Sequence, residues 1–140
     1  MSEHCLFCRV ASEPSRPFFV LENDRLIAMP ALHPVNPGHL VVVPRQHVES
    51  MDALAEGLAE ELLRQAAALG RLLVSELDYT GYTLILHAGA PGQPLPHLHL
   101  NVIPRREGDP LDLTKPDEAP RWDLALLASR LRERLVEPRA

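Results

Sequence analysis

Gly92-Gln93-Pro94-Leu95-Pro96-His97-Leu98-His99-Leu100-Asn101-Val102-Ile103-Pro104-Arg105 sets two histidines and an asparagine in strict alternation with Leu98, Leu100 and Val102. Successive side chains of a strand point to opposite faces. The pattern therefore predicts a strand with His97, His99 and Asn101 on one face and the aliphatics buried behind them. A rigid element holds reactive groups in place more accurately than a loop, which catalysis and metal binding both require. A lone histidine here would read as a solvent-facing residue of an edge strand. Two on one face, after a Gly-rich loop able to turn backbone N–H groups toward an anion, point to a site instead. The loop alone is weak evidence, because Gly89-Ala90-Pro91-Gly92 is also an ordinary turn.

Upstream, Gly81 to His87 reads as another strand, and Ala88 to Pro96 as the Gly/Pro loop that joins the two. His39-Leu40-Val41-Val42-Val43-Pro44 follows a turn at Pro34-Val35-Asn36-Pro37-Gly38, and its nearly continuous aliphatic character predicts a central strand. Phe18 to Leu21 and Leu26 to Met29 are short β-rich runs, separated by a hairpin turn at Glu22-Asn23-Asp24-Arg25. From Ala53 to Leu77, apolar positions Leu54, Leu58, Leu62, Leu69, Leu72, Leu73 and Leu77 recur at three- and four-residue steps. They mark a long amphipathic helix that Ser50 or Asp52 is placed to cap. Arg105 to Pro120 is a polar, proline-bearing loop, and Trp122 to Val136 a shorter helix. These elements predict an α+β domain with an antiparallel sheet.

The length of 140 residues fits one domain, 1–140, with enough chain to bury a core, and neither repeats nor low-complexity tracts interrupt it. A hydrophobic fraction of 46% with 24% charged residues is that of a soluble globular protein. The formal charge of -5, with no basic patch, argues against a duplex nucleic-acid or anionic-membrane partner. No apolar run approaches the roughly 20 residues needed to span a bilayer, and the N-terminus lacks the layout of a signal peptide. The expectation is a cytoplasmic protein.

In a reducing compartment the two cysteines, Cys5-Leu6-Phe7-Cys8, read as metal ligands or a redox pair, or else as plain packing. A thioredoxin-like role wants the motif where a strand feeds a helix, and no strand precedes it here. A closed zinc site needs four ligands. With His4, His33, His39, His47, His87, His97 and His99 available, a Cys₂His₂ set is arithmetically open, and zinc is the favoured reading.

Gly92-Gln93 followed by His97-x-His99-x-Asn101-x-x-Pro104-Arg105 resembles the signature of the histidine-triad superfamily of nucleotide hydrolases and transferases. Cys5-x-x-Cys8, Pro37-Gly38-His39, Pro44-Arg45-Gln46-His47 and the long helix fall in that family's order. The resemblance covers about residues 3–107, leaving 108–140 as a C-terminal loop and helix. It implies a five-stranded antiparallel sheet with the long helix packed on it, and a homodimer whose sheets join across the two-fold. It assigns His99 as the nucleophile that attacks the α-phosphorus of a nucleotide, nucleotide-sugar or dinucleoside polyphosphate and forms a nucleotidyl-histidine. It places Asn101 at the leaving group. His87, Gly89, Gly92, Gln93 and Leu95 stand around the phosphate, with loop N–H groups stabilising its charge. It also implies a structural zinc on Cys5, Cys8, His47 and His97.

This sequence departs from the family pattern at four places. Asn101 replaces the third histidine and can donate a hydrogen bond but not deliver a proton, so amine leaving groups should suffer. Ala31 stands where an Asp or Asn usually holds the ribose hydroxyls, His87 where asparagine is commonest, and Pro94 removes an N–H from the phosphate loop. Two functions follow: an enzyme using His99, with Asn101, Gln93 and His87 at the phosphate or leaving group, or a zinc-stabilised dimeric nucleotide-binding or interaction module with little turnover. Redox chemistry at Cys5 and Cys8 is a third and weaker reading.

Overall fold

The computed structural model describes residues 4–13, 17–89, 93, 95–113 and 123–136. In chain order the elements are α1 (Leu6–Ser12), β1 (Leu21–Glu22), β2 (Leu26–Pro30), β3 (Leu40–Pro44), a 3₁₀ turn (Met51–Ala53), α2 (Leu58–Glu76), β4 (Gly81–Leu86), β5 (Leu100–Arg105) and α3 (Leu124–Val136). The five strands form one antiparallel sheet in the order β1-β2-β3-β5-β4. The aliphatic run from Leu40 is the middle strand, as its composition predicts, and the histidine stretch feeds the strand beside it.

Alternation along the strands divides the sheet into two faces. Leu40, Val42, Leu98, Leu100 and Val102 point to one face, where Leu58, Leu62, Ala66, Leu69 and Leu73 of α2 cover them. Val41 and Val43 point to the other, where Cys5, Phe7, Cys8 and Ala11 of the α1 segment lie. The helix stripe is narrower than the leucine count suggests, since Leu72 and Leu77 are exposed. Neither Ser50 nor Asp52 caps α2. The chain first makes the 3₁₀ turn, and Gly57, in the left-handed region at φ 75°, then sets the true helix start. Phe18, Phe19 and Val20 stay outside β1, which is only two residues long. Trp122 lies outside the described residues. The helix at Leu6–Ser12 has no counterpart in the sequence expectations, because seven residues are too few to show a periodicity.

The strand through the histidine stretch begins at Leu100 rather than His97, for a physical reason. The β3–β5 ladder runs from Leu40 with Val102 to Val42 with Leu100. The next inward-facing position of β3 is Pro44, which has no N–H to give. The Leu98 N–H turns instead to the Val48 carbonyl (2.7 Å). The alternation of side chains survives the break.

Gly70 lies where α2 crosses β4. A Cβ there would sit 2.5 Å from the Tyr82 ring, so the glycine lets the ring lie flat against the helix backbone. Alanine gains about 1 kcal/mol in helix propensity, but overpacking a fixed ring costs typically 1–3 kcal/mol. Gly70→Ala is therefore expected to lower stability in chemical denaturation and to become neutral or stabilising in a Tyr82→Ala background. Destabilisation of equal size in both backgrounds would show that the ring is not the obstacle.

Candidate functional site

Both histidines of the opening stretch are buried, in the segment that leads into the interior strand β5, and the Cys5–Cys8 segment covers them. His97 Nε2–H donates to the Pro44 carbonyl (2.8 Å). The lone pair of the neutral ring is then on Nδ1, which lies 3.3 Å from Cys5 Sγ and 3.5 Å from Cys8 Sγ. His47, in the loop after β3, brings its Nδ1 to 3.1 Å from Cys8 Sγ. All four donor atoms lie within 4.8 Å of one another. Metal–ligand bonds of about 2.0–2.3 Å in a tetrahedron imply ligand–ligand edges of roughly 3.5 Å, which is what these separations approach. A carbonyl holding the far nitrogen of a ligand histidine is the usual support for such a ring. Desolvation is the main cause that pushes the His97 imidazole below the ordinary histidine range. The Pro44 bond opposes it, and the charges of His47 and His99 add to it, so the ring is kept neutral as a ligand must be. The four residues can therefore hold a metal ion; His4, His33, His39 and His87 lie outside the group.

His99 donates from Nδ1 to the carbonyl of His97 (3.0 Å), so the neutral ring carries its lone pair on Nε2. Asn101 is held at both ends of its amide. Its Oδ1 accepts from His39 Nε2–H (2.9 Å) and its Nδ2 donates to the Ile85 carbonyl (3.1 Å). His39 is locked in turn, because the Val35 N–H donates to its Nδ1 (3.1 Å). Burial, more than any other cause, depresses the His39 imidazole below the ordinary histidine range; the Asn101 bond opposes this and the charge of His99 adds to it. His39 is thus a neutral buttress for Asn101. The sequence reading includes it as part of a motif and among the available metal donors, not as a partner of Asn101, although strand pairing could have located it. With Val41 opposite Asn101, residue 39 is the diagonal neighbour on the same face.

These groups open into a cleft of about 630 Å³. His99, Asn101, His39 and His33 supply its polar groups, and Leu6, Phe7, Val10 and Leu32 are prominent in its apolar lining. Ala31 lines it too, with a methyl where a ribose partner is expected, and so does Leu95. His87 is exposed at the end of β4 and does not line the cleft. Gly92 lies outside the described residues. Gln93 is turned inward on its own loop. Its Oε1 accepts from the Gly89 N–H (2.9 Å), its backbone N–H donates to the Gly89 carbonyl (3.0 Å), and its Nε2 donates to the Glu49 carbonyl (2.9 Å). The Gly89 N–H, the Gln93 N–H and one Nε2 hydrogen of Gln93 are thus engaged within the protein.

The turn that delivers His39 is clamped from behind. Gly38, at φ 94°, packs so closely that a Cβ would meet Leu77 at 2.7 Å, and Tyr79 donates to the Pro37 carbonyl (2.7 Å). The Asn36 carbonyl accepts from the His39 N–H (3.0 Å). The Asn36 amide donates to the Pro104 carbonyl (2.8 Å) and to Asp109 (3.1 Å). Arg105 grips Asp109 through two nitrogens, at 2.6 and 2.9 Å.

The HIT domain family matches residues 13–108, and this chain belongs to that family. An uncharacterised HIT-like protein of Saccharolobus solfataricus is 30% identical over 118 residues, 84% of each chain. A crystal structure of a HIT family member from Bacillus subtilis superposes with a TM-score of 0.80 at 24% identity, covering 97% of this chain and all of that one. A zinc-bound histidine triad family protein from Mycobacterium smegmatis superposes with a TM-score of 0.71 at 24% identity, covering 81% of this chain and 84% of the other. Two relatives are named for an activity. One is an adenylylsulfatase of Arabidopsis thaliana, 22% identical over 78% of this chain and 56% of that protein. The other is an adenosine 5'-monophosphoramidase of mouse, 31% identical over 71% of this chain and 62% of that protein.

The Arg105 guanidinium, chiefly, holds the Asp109 carboxyl far below the usual carboxylate range; burial opposes it, and the Arg106 N–H, the Asn36 amide and the Leu111 N–H assist. A depressed folded-state value means stability that is present above about pH 4, where an unfolded aspartate ionises, and lost as pH falls below it. Asp109→Asn is expected to be less stable than the parent at pH 7, with the gap narrowing as pH drops below about 4. Thermal melts across that range are the check, and a gap independent of pH would contradict the clamp.

Proposed function

We propose that this chain is a nucleotide phosphohydrolase or nucleotidyltransferase of the histidine-triad type, working through a nucleotidyl-histidine on His99. The supporting observation is the bond from His99 Nδ1–H to the His97 carbonyl (3.0 Å), which leaves the Nε2 lone pair to a ring that lines the cleft. That lone pair attacks the α-phosphorus, and a P–N bond forms as the bond to the leaving group breaks and the leaving group departs with its electron pair. Water or another acceptor then attacks the same phosphorus and loses a proton to solvent. The P–N bond breaks and neutral His99 returns.

Asn101 has a second Nδ2 hydrogen to offer the departing oxygen, while neither Asn101 nor neutral His39 releases a proton. Groups that leave as stable anions, such as sulfate or phosphate, suit this site, and amines do not. Of the two relatives named for an activity, the adenylylsulfatase is the closer chemical pattern. The apolar wall of Leu6, Phe7 and Val10 suits a nucleobase. Zinc on Cys5, Cys8, His47 and His97 would serve as a structural tie, since four protein ligands would leave no place for a reacting water. The edge strand β4, half-exposed along its whole length, offers a surface where a second copy can extend the sheet into a homodimer.

A second reading, a binding module with little turnover, draws support from Gln93 and Gly89 being engaged with each other and with Glu49. Quenching the protein into alkaline denaturant, where a phosphorus–nitrogen bond to imidazole survives, after mixing with a radiolabelled nucleoside 5'-phosphosulfate, a dinucleoside polyphosphate or a nucleoside phosphoramidate separates the two. The enzymatic reading expects a labelled adduct that His99→Ala abolishes. It also expects amine-leaving substrates to be slower by about 10²–10⁴, the usual worth of a general acid. Nucleotide binding with neither adduct nor turnover would establish the module instead. Equal rates for the phosphoramidate and the phosphosulfate would refute the missing-acid argument.

A further inference from the structure

The residues that gather the metal donors also build the cleft. Leu6 and Phe7 lie between Cys5 and Cys8 in sequence, Val10 is one helical turn further on, and all three line the cleft. The Phe7 ring bridges the two centres, with its centroid 5.6 Å from that of His97 and 5.2 Å from that of His99. The His97 backbone carbonyl orients His99, while its side-chain Nδ1 faces the thiols. One wall and one reactive ring of the cleft are therefore fixed by residues whose neighbours in sequence belong to the donor cluster.

The helix that carries this wall has little stability of its own. It is seven residues long, well short of the roughly 12–15 at which isolated helices become even marginal. Its N-cap is Cys5, whose sulfur accepts from the Cys8 N–H (3.5 Å), so the capping atom is also one of the four donors. At its far end, Arg45 Nη1 donates to the Ala11 carbonyl (2.6 Å). Between those points Phe7, Cys8 and Ala11 pack on Ile27, Met29, Val41 and Val43. Withdrawing a metal from the four donors would replace metal–ligand bonds by thiol–imidazole contacts of 3.1 to 3.5 Å between Cys5 or Cys8 and the rings of His47 and His97. The first turn, which holds Leu6 and Phe7, is the part nearest those contacts.

We infer that metal occupancy of Cys5, Cys8, His47 and His97 sets the nucleotide affinity of the cleft, with Phe7 as the residue that links the two sites. The inference rests on the cleft being a nucleotide site, as proposed above. Linkage makes the effect reciprocal: the factor by which the metal tightens nucleotide binding equals the factor by which nucleotide tightens metal binding. Ordering one wall of a pocket gives a factor of about tenfold, within the usual 5–150-fold range for coupled sites. Phe7 is a positioning residue in this scheme; it neither ligates nor reacts.

The test uses the full chain, zinc-loaded and chelator-stripped, titrated calorimetrically with AMP, GMP, CMP and UMP. Zinc affinity is measured by chelator competition with and without the tightest of these. Expected are an approximately tenfold gain in nucleotide affinity with zinc and an equal gain in zinc affinity with nucleotide. Phe7→Ala should keep its zinc affinity in the absence of nucleotide within threefold of the parent and lose most of the coupling factor. Leu32→Ala, a lining residue outside α1, should bind nucleotide more weakly with the coupling factor intact. Hydrogen exchange supplies a readout that needs no nucleotide: stripping zinc should speed exchange over 6–12 and leave 58–76 protected. Equal nucleotide affinity with and without zinc overturns the inference while sparing the proposed function. A zinc-loaded protein that binds none of the four nucleotides counts against the nucleotide reading, and exchange over 6–12 unchanged by zinc removal overturns the coupling on its own. Loss of protection over 58–76 on stripping also overturns it, because the metal would then hold the whole fold and not this wall.

Discussion

Pro44 is the residue at which the geometry of the site is decided. In an antiparallel ladder the N–H and C=O of a residue point to the same neighbouring strand, and those of Pro44 face the chain leading into β5. The N–H does not exist, so backbone pairing past Val42 and Leu100 stops. The carbonyl remains and must be satisfied, because the residue is buried. The His97 ring meets that demand through Nε2–H. From this one bond the rest follows in order: Nδ1 of His97 is turned to the thiols, its backbone carbonyl is left for His99, and the neutral His99 ring is set with its lone pair on Nε2. A missing backbone hydrogen thus fixes two tautomers.

The two faces of the sheet divide the work. On one, α2 closes a core of aliphatic side chains around Val42 and Val102. On the other, the covering element is short, and its contacts mix packing with thiol and imidazole donors. The chemistry is confined to the face where burial is incomplete, and the aliphatic face supplies the rigidity that keeps β3 and β5 in register beneath it. Apolar burial on the first face is worth roughly 2–5 kcal/mol for each large aliphatic side chain that a truncation to alanine would remove. The second face can therefore carry a short helix with little stability of its own.

Much of this was legible in the chain. The alternation His97-Leu98-His99-Leu100-Asn101 encodes both faces, because period two is a strict geometric rule even where the ladder itself breaks. The central position of β3 followed from an unbroken aliphatic run, since such a strand must be buried on both faces. The spacing Cys5-x-x-Cys8 announced a donor pair, and likeness to a family rather than spacing picked His47 and His97 to complete it. What was not legible depends on tertiary contact. Gly57 in a left-handed turn moves the start of α2 past two good capping residues, and nothing local says so. Seven residues cannot reveal a helix by periodicity, so α1 and its share in the cleft stayed hidden. Gln93 looks the same in sequence whether its amide meets a phosphate or its own loop.

The arrangement around Asn101 shows what its neighbours require of an amide at this position. A histidine at 101 would titrate and could pass a proton; an asparagine cannot, and its amide must be told which way to face. Here the neighbours decide. The Ile85 carbonyl takes only a donor, and His39 Nε2 can only give, since its Nδ1 is already accepting from Val35. The amide has one orientation that satisfies both, and that orientation leaves a single N–H unassigned. His39 in turn is held neutral chiefly by its burial, with the turn behind it anchored through Asn36, Asp109 and Arg105 to the end of β5. Polar groups that are buried and fully committed cannot follow a substrate's changing protonation. They can stabilise charge only where it already sits. On the reading proposed above, such a cleft suits a group that leaves as a stable anion.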